Sequence, residues 1–209
     1  MLAAKNVGSG NTTLYQIFYG LIDMTIHDKY NPNEVRTTTD IVEELQNKII
    51  LKEVLQIPEI YANGLFRCRV TYSEKIEKIE FIPHQIKKIN SLKLIEDNDI
   101  DYQFKFSDRG KLSQLFEKRG NCDDILIVKN GLISDSSTAN PIFFDGDKWW
   151  CSDSPLLAGT QRSRLINEGK IKVCKITKND ISRYEVVGLI NAMQDFDEMP
   201  VINTSNIIP

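Results

Sequence analysis

The chain has 209 residues, enough for one large domain or two small ones with a core between them. Hydrophobic residues make up 41% and charged residues 26%, a globular balance that excludes extended disorder away from the ends. The net charge of −3, with Lys and Arg scattered among acids, gives no basic face for nucleic acid, and no apolar run approaches the roughly 20 residues of a membrane span.

Residues 1–12 read as a flexible tail, too short and polar for a signal peptide. An apolar stretch over 14–24 predicts a strand, Asn31-Pro32-Asn33 a turn or helix entry, and the spacing of Ile41, Val42, Leu45, Ile49, Ile50 and Val54 a helix over 39–55. Residues 65–72, 78–82 and 91–95 alternate apolar and polar side chains, the pattern of half-buried strands. The acidic run over 96–101 is the best linker candidate. It suggests a small N-terminal α+β domain over 13–97 and a larger C-terminal one over 98–209. In the second half, Ser107 or Asp108 predicts the N-cap of a helix running to Gly120. Strands are expected over 124–129 and 141–144, ending at the hairpin signals Asn130-Gly131 and Asp145-Gly146. Gly159-Thr160-Gln161-Arg162 opens a short helix through Ile166, and 186–192 reads as a last buried strand. The class is α+β, in two lobes.

Cys68, Cys122, Cys151 and Cys174 show no close pairing of the kind found in zinc or redox motifs. They read as free thiols of a cytoplasmic protein with no metal site. His27 and His84 lack a recognisable Ser or Cys partner and read as surface or turn residues. The chain contains no dinucleotide-binding glycine motif, phosphate loop or nucleophile elbow.

Three places could carry chemistry, each with a plainer reading beside it. Lys105, between Phe104 and Phe106, would have a depressed pKa if its strand face is enclosed, as an imine-forming lysine needs; a solvated strand face is commoner. Asp135 opens a run of small residues that would let a flat ligand approach the backbone, or it is a turn or cap. Gly159, Thr160 and Gln161 offer free N–H groups at a helix start, for an anion or merely as a cap.

Taken in order, these segments resemble the class IV aminotransferase family, the pyridoxal-phosphate enzymes of fold type IV. That family includes branched-chain and D-amino-acid aminotransferases and 4-amino-4-deoxychorismate lyase. The segment Lys105-Phe-Ser-Asp-Arg is similar to the family's lysine segment, residues 123–144, with Asp135 and Asn140, to its acid-and-asparagine stretch, and Ser154-Pro-Leu-Leu-Ala-Gly-Thr-Gln-Arg to its phosphate cup. Leu189-Ile-Asn-Ala-Met is similar to the strand that closes over the phosphate. Where relatives carry His-x-x-Arg this chain reads Tyr30-Asn-Pro-Asn33, and Arg36, one helical turn further on, is the candidate substitute.

The resemblance implies the two-lobed fold type IV architecture and pyridoxal 5′-phosphate as cofactor. Lys105 would form the internal aldimine. The cofactor would be bound by Asp135, Asn140, Gly159, Thr160, Gln161, Asn191, Ala192 and Arg36, with a small-molecule amino substrate and a homodimer. The short, lyase-type members are closest in pattern, so elimination of pyruvate to leave 4-aminobenzoate for folate synthesis is the leading expectation. An amino-acid transaminase, or a non-catalytic scaffold relative, is the alternative.

Overall fold

The computed structural model of the chain describes residues 22–24, 56–61, 63, 65–72, 76–102 and 108–209. The helix expected over 39–55, the turn at 31–33, Arg36 and Lys105 all lie outside them.

Three sheets organise the described residues. In the first, β1 (Ile22–Met24) runs parallel to β2 (Phe66–Tyr72), which pairs antiparallel with β3 (Ile76–Pro83). Tyr61 stacks on Phe81 at 4.7 Å between ring centroids and meets Phe66 edge-on at 5.2 Å, covering one part of that sheet. The second sheet comprises β4 (Leu92–Glu96), β5 (Asp124–Lys129), β6 (Leu132–Ser136) and β12 (Ile207–Ile208), in the order β12-β4-β5-β6. The third comprises β7 (Asn140–Phe144), β8 (Trp149–Ser152), β9 (Ile171–Cys174), β10 (Val186–Ile190) and β11 (Val201–Asn203), in the order β11-β10-β7-β8-β9.

Two helices flank the second and third sheets, and the burial pattern shows how. Strand β5 reads Asp-Ile-Leu-Ile-Val-Lys, apolar on both faces, because both faces are covered. Leu126 and Val128 join Ile133, Phe143, Val187, Leu189 and Ile202 in a core shared by the two sheets. Ile125 and Ile127 point the other way, to Leu112 and Leu115 of α1 (Gly110–Glu117) and to Ile100 and Leu156. The outer face of the third sheet does the same through Ile142, Cys151, Ile171 and Ile190, which pack with Leu165 of α2 (Thr160–Asn167). The result is a layered stack of helix, sheet, sheet and helix.

The turn signals behave as their chemistry requires. Asn130 (φ 52°) and Gly131 (φ 78°) both take the left-handed conformation of a tight hairpin between β5 and β6. Asp145 closes the β7–β8 hairpin by accepting the N–H groups of Asp147 and Lys148 and the indole N–H of Trp150.

Several expectations need correction. Helix α1 starts at Gly110 behind Arg109, and Asp108 contributes by accepting the Gly110 N–H at 2.7 Å. The strand over 186–190 is not the last, since β11 and β12 follow it. Strands β8 and β9 had no clear alternation to announce them. Strand β4, on the N-terminal side of the expected division, pairs parallel with β5. The acidic run after it is likewise fastened to the second half: Asp97 pairs with Lys111 at 2.8 Å and Ile100 is fully buried. All four cysteines are free thiols, and among the described residues no helix is long and apolar enough to cross a membrane.

Because Leu126 is fully buried in the shared core, Leu126→Ala should cost about 3 kcal/mol, within the range for cavity-forming truncations. Gly131→Ala, forced into a left-handed conformation, should cost about 1 kcal/mol. Urea denaturation should show both as lower midpoints at an unchanged slope; an unaltered midpoint for Leu126→Ala would contradict the packing described.

Candidate active site

The acid of the site is aimed by an irregularity in β6. Val128 pairs with Ile133, but Leu126 pairs with Ser136, so two steps along β5 oppose three along β6. This bulge interrupts the alternation of faces and buries Ser134, Asp135 and Ser136 in succession. Ser134 donates its hydroxyl to the Ser154 carbonyl at 2.9 Å, and Ser136 accepts the N–H groups of Thr138 and Ala139, shaping the turn into β7. Asp135 therefore lies within a strand, rather than in the turn or cap that its local sequence suggests.

Its carboxylate is 6% exposed and held at both oxygens. Oδ1 accepts from the side-chain amide of Asn140 at 2.8 Å, and Oδ2 accepts the Leu157 N–H at 2.9 Å. Burial pushes the carboxyl up to about 7. The Leu157 N–H, the Asn140 amide, the Leu156 backbone and the Arg162 charge pull the other way but do not overcome it. An acid so placed sits near half-protonation at neutral pH, the condition for exchanging a proton with a ligand.

Asn140 joins this acid to the rest of the site. Its amide nitrogen also donates to the Leu157 carbonyl at 2.8 Å, fixing the loop that leads into α2. Gly159, at the N-cap of α2, lies so close that a Cβ there would stand 2.4 Å from Asn140 Oδ1, so no larger residue fits without displacing the asparagine. In the antiparallel pairing of β7 with β10, Asn140 sits opposite Ile190, which brings Asn191 and Ala192 to the same end of the sheet. Asn191 Oδ1 accepts the Met193 N–H at 2.8 Å and turns the chain back. Gln194 then meets α2, where the Gln161 side-chain nitrogen approaches its carbonyl at 3.5 Å. Thr160 is exposed, while Gln161 is buried and Ala192 half-buried.

The structure thus gathers Asp135, Asn140, Gly159, Thr160, Gln161, Asn191 and Ala192 around one end of the third sheet. Lys105 and Arg36 lie outside the described residues. Sequence reasoning missed Leu157, which acts through its backbone and leaves no side-chain signal, and it passed over Arg162 and Gln194. Arg162 is 9% exposed; one guanidinium nitrogen donates to the Ser152 carbonyl at 2.8 Å, and its Nε is buried without a partner. Gln194 is also 9% exposed, and its carboxamide oxygen has no partner. A buried acid at one side and the N-terminus of α2 at the other suit a ligand with a basic nitrogen and an anionic group.

Comparison with known proteins gives this arrangement a context. The family described as amino-transferase class IV matches residues 103–206. An uncharacterized protein of Haemophilus influenzae (strain Rd) is 34% identical over 192 residues, spanning 92% of this chain and 95% of its own length. Among solved structures, a candidate 4-amino-4-deoxychorismate lyase from Haemophilus somnus 129PT shares 34% identity at a TM-score of 0.62, covering 72% of this chain and 86% of that one. A candidate amino-acid aminotransferase from Mesorhizobium loti, at 16% identity, has the fold in common with a TM-score of 0.60, covering 80% and 82%. The fold is that of the fold type IV pyridoxal-phosphate enzymes. With a third of its residues identical across nearly the whole length and the architecture shared, this chain belongs to the class IV aminotransferase family.

Proposed function

We propose that the chain is a pyridoxal-phosphate enzyme acting on a small amino compound, and specifically that it eliminates pyruvate from 4-amino-4-deoxychorismate to leave 4-aminobenzoate. The observation that carries this reading is the buried Asp135, held ready at both oxygens by neutral donors. The cofactor fits the residues at both ends: the acid suits a protonated ring nitrogen, and the α2 N-terminus, whose N-cap Gly159 makes no side-chain cap bond, suits a phosphate. The lyase assignment draws on the likeness at 34% identity to the candidate lyase.

Bound there, pyridoxal phosphate supplies an electron sink for charge developing at the substrate's α-carbon. Asp135 holds the proton at the ring nitrogen, because a carboxylate in a dry site favours a cation beside it. Asn140 and the Leu157 N–H orient that carboxylate, and the first-turn N–H groups of α2 bind the phosphate together with Asn191 and Ala192. Lys105 would be the amine that holds the cofactor and the base that moves the α-proton. Arg36 contributes a cation to the phosphate. The same family likeness implies a homodimer.

Purified protein soaked in pyridoxal phosphate should develop an absorption band in the visible or near-ultraviolet that borohydride fixes covalently. Lys105→Ala should abolish the fixation. Wild type supplied with aminodeoxychorismate should release pyruvate without any keto-acid acceptor. Transfer of the amino group to a keto acid would make it a transaminase instead, and the absence of any band in wild type would point to a scaffold relative.

Asp135 also sets a pH signature. Its carboxyl is raised in the folded protein from about 3.8 to about 7, so its contribution to stability is complete below pH 4 and is lost as pH rises towards 7. Cofactor-free wild type should therefore lose on the order of 2 kcal/mol between pH 5 and 8, and Asp135→Asn should show a flatter profile. Urea titrations at several pH values measure this. Parallel profiles for the two proteins would mean that the acid is not buried as described.

A further inference from the structure

We infer that Arg162 is a positioning residue for Asp135, acting through the loop that carries one of the acid's hydrogen bonds and through its own buried charge. The inference rests on the cofactor reading above only for what the acid then does. The segment from Ser152 to Gly159 joins β8 to α2 and is fastened at several points. Ser134 of β6 holds the Ser154 carbonyl, Asn140 of β7 holds the Leu157 carbonyl, and the Leu157 N–H is given to Asp135 Oδ2 at 2.9 Å. The fastening from α2 is Arg162, whose guanidinium nitrogen donates to the Ser152 carbonyl at 2.8 Å. Arg162 and Asp135 therefore grip the same short segment at different points.

The charge of Arg162 matters as much as its hydrogen bond. The side chain is nine-tenths buried, forms no ion pair among the described residues, and leaves Nε without a partner. A guanidinium does not lose its proton, so this is a permanent cation whose field the dry interior screens weakly. Burial keeps the Cys151 thiol beside it uncharged, so the thiol does not neutralise it. The groups that face Asp135 from β7 and from the loop, the Asn140 amide and the Leu156 and Leu157 backbones, are neutral. Arg162 is the charge that opposes the rise burial imposes on the acid. On β5, Asp124 turns Oδ1 to the N–H groups of Ile125 and Ser137. Arg162 thus biases Asp135 towards its carboxylate, the form that holds a proton on a basic ligand nitrogen, with no hydrogen bond joining the two residues.

The test follows the Asp135 carboxyl by carbon NMR in the cofactor-free protein, with Asp135→Asn identifying its signal. Wild type is compared with Arg162→Gln, Arg162→Lys and Arg162→Met. Arg162→Gln keeps a donor for the Ser152 carbonyl but not the charge, and should titrate Asp135 about one pH unit higher than wild type. Arg162→Lys keeps the charge and should recover most of that difference. Arg162→Met loses both, and should raise the titration as far while quickening hydrogen exchange at the Leu157 N–H about tenfold. It also decides the question of charge if the glutamine variant fails to fold. An unmoved titration in the uncharged variants, an equal move in the lysine variant, or unchanged exchange at Leu157 in Arg162→Met overturns the assignment. Absorbance titration with pyridoxal phosphate separates this role from the cofactor reading. Arg162→Gln should weaken binding about fivefold at pH 7, as the carboxylate fraction falls, with recovery towards about pH 9. If wild type binds no pyridoxal phosphate while the carboxyl titration moves as expected, the role of Arg162 stands and the cofactor reading falls.

Discussion

Taking a carboxylate out of water is among the most costly acts of folding, and it is tolerated only where donors stand in for the lost solvent. Asp135 is such a group, and its two supports, the Asn140 amide and the Leu157 N–H, constrain much of what surrounds it. Asn140 must head β7, opposite Ile190, so the register of the third sheet is tied to the acid. Its oxygen fills the space where a side chain at position 159 would stand, so α2 must begin with glycine. The bulge in β6 must sit where it does, because one residue of slippage would turn Asp135 away from Asn140.

The site is therefore built on strand ends and a helix start, elements fixed by two packed sheets, with loops contributing backbone groups. Rigid placement of this kind keeps the buried acid at a constant position relative to the N-terminus of α2. Among the described residues, the groups hydrogen-bonded to Asp135 carry no formal charge. Neutral donors orient the carboxylate without satisfying its charge, which leaves that charge available to a cation.

Much of this was legible in the sequence, but for different reasons in different places. The apolar run of β5 and the Asn130-Gly131 turn announce themselves because burial on both faces and a left-handed backbone each admit few residue types. Asp135 and Gly159 stood out by residue type and place beside plainer readings, while Asn140 and Asn191 were named only through the family resemblance. What stayed hidden has a physical cause. A bulge leaves no periodic trace, and Ser134, Asp135 and Ser136 look like turn residues because polar side chains seldom occupy three consecutive buried positions. Leu157 acts through an N–H that every residue but proline has. Strands β8 and β9, rich in Trp, Cys and Lys, lack a clean alternation, and the place of β4 in the second sheet is a matter of non-local pairing that no local window contains.

That non-local pairing has a temporal side. Strand β4 is flanked by β5 and by β12, and the latter pairing joins Leu92 and Lys93 to Ile207 and Ile208, across more than a hundred intervening residues. During synthesis, β4 emerges from the ribosome long before its outer neighbour exists, so one row of its backbone donors and acceptors stays open throughout translation of the site-bearing half. The nascent chain thus presents an open sheet border while its site-bearing half is assembling. Sealing that border must await the synthesis of Ile207 and Ile208.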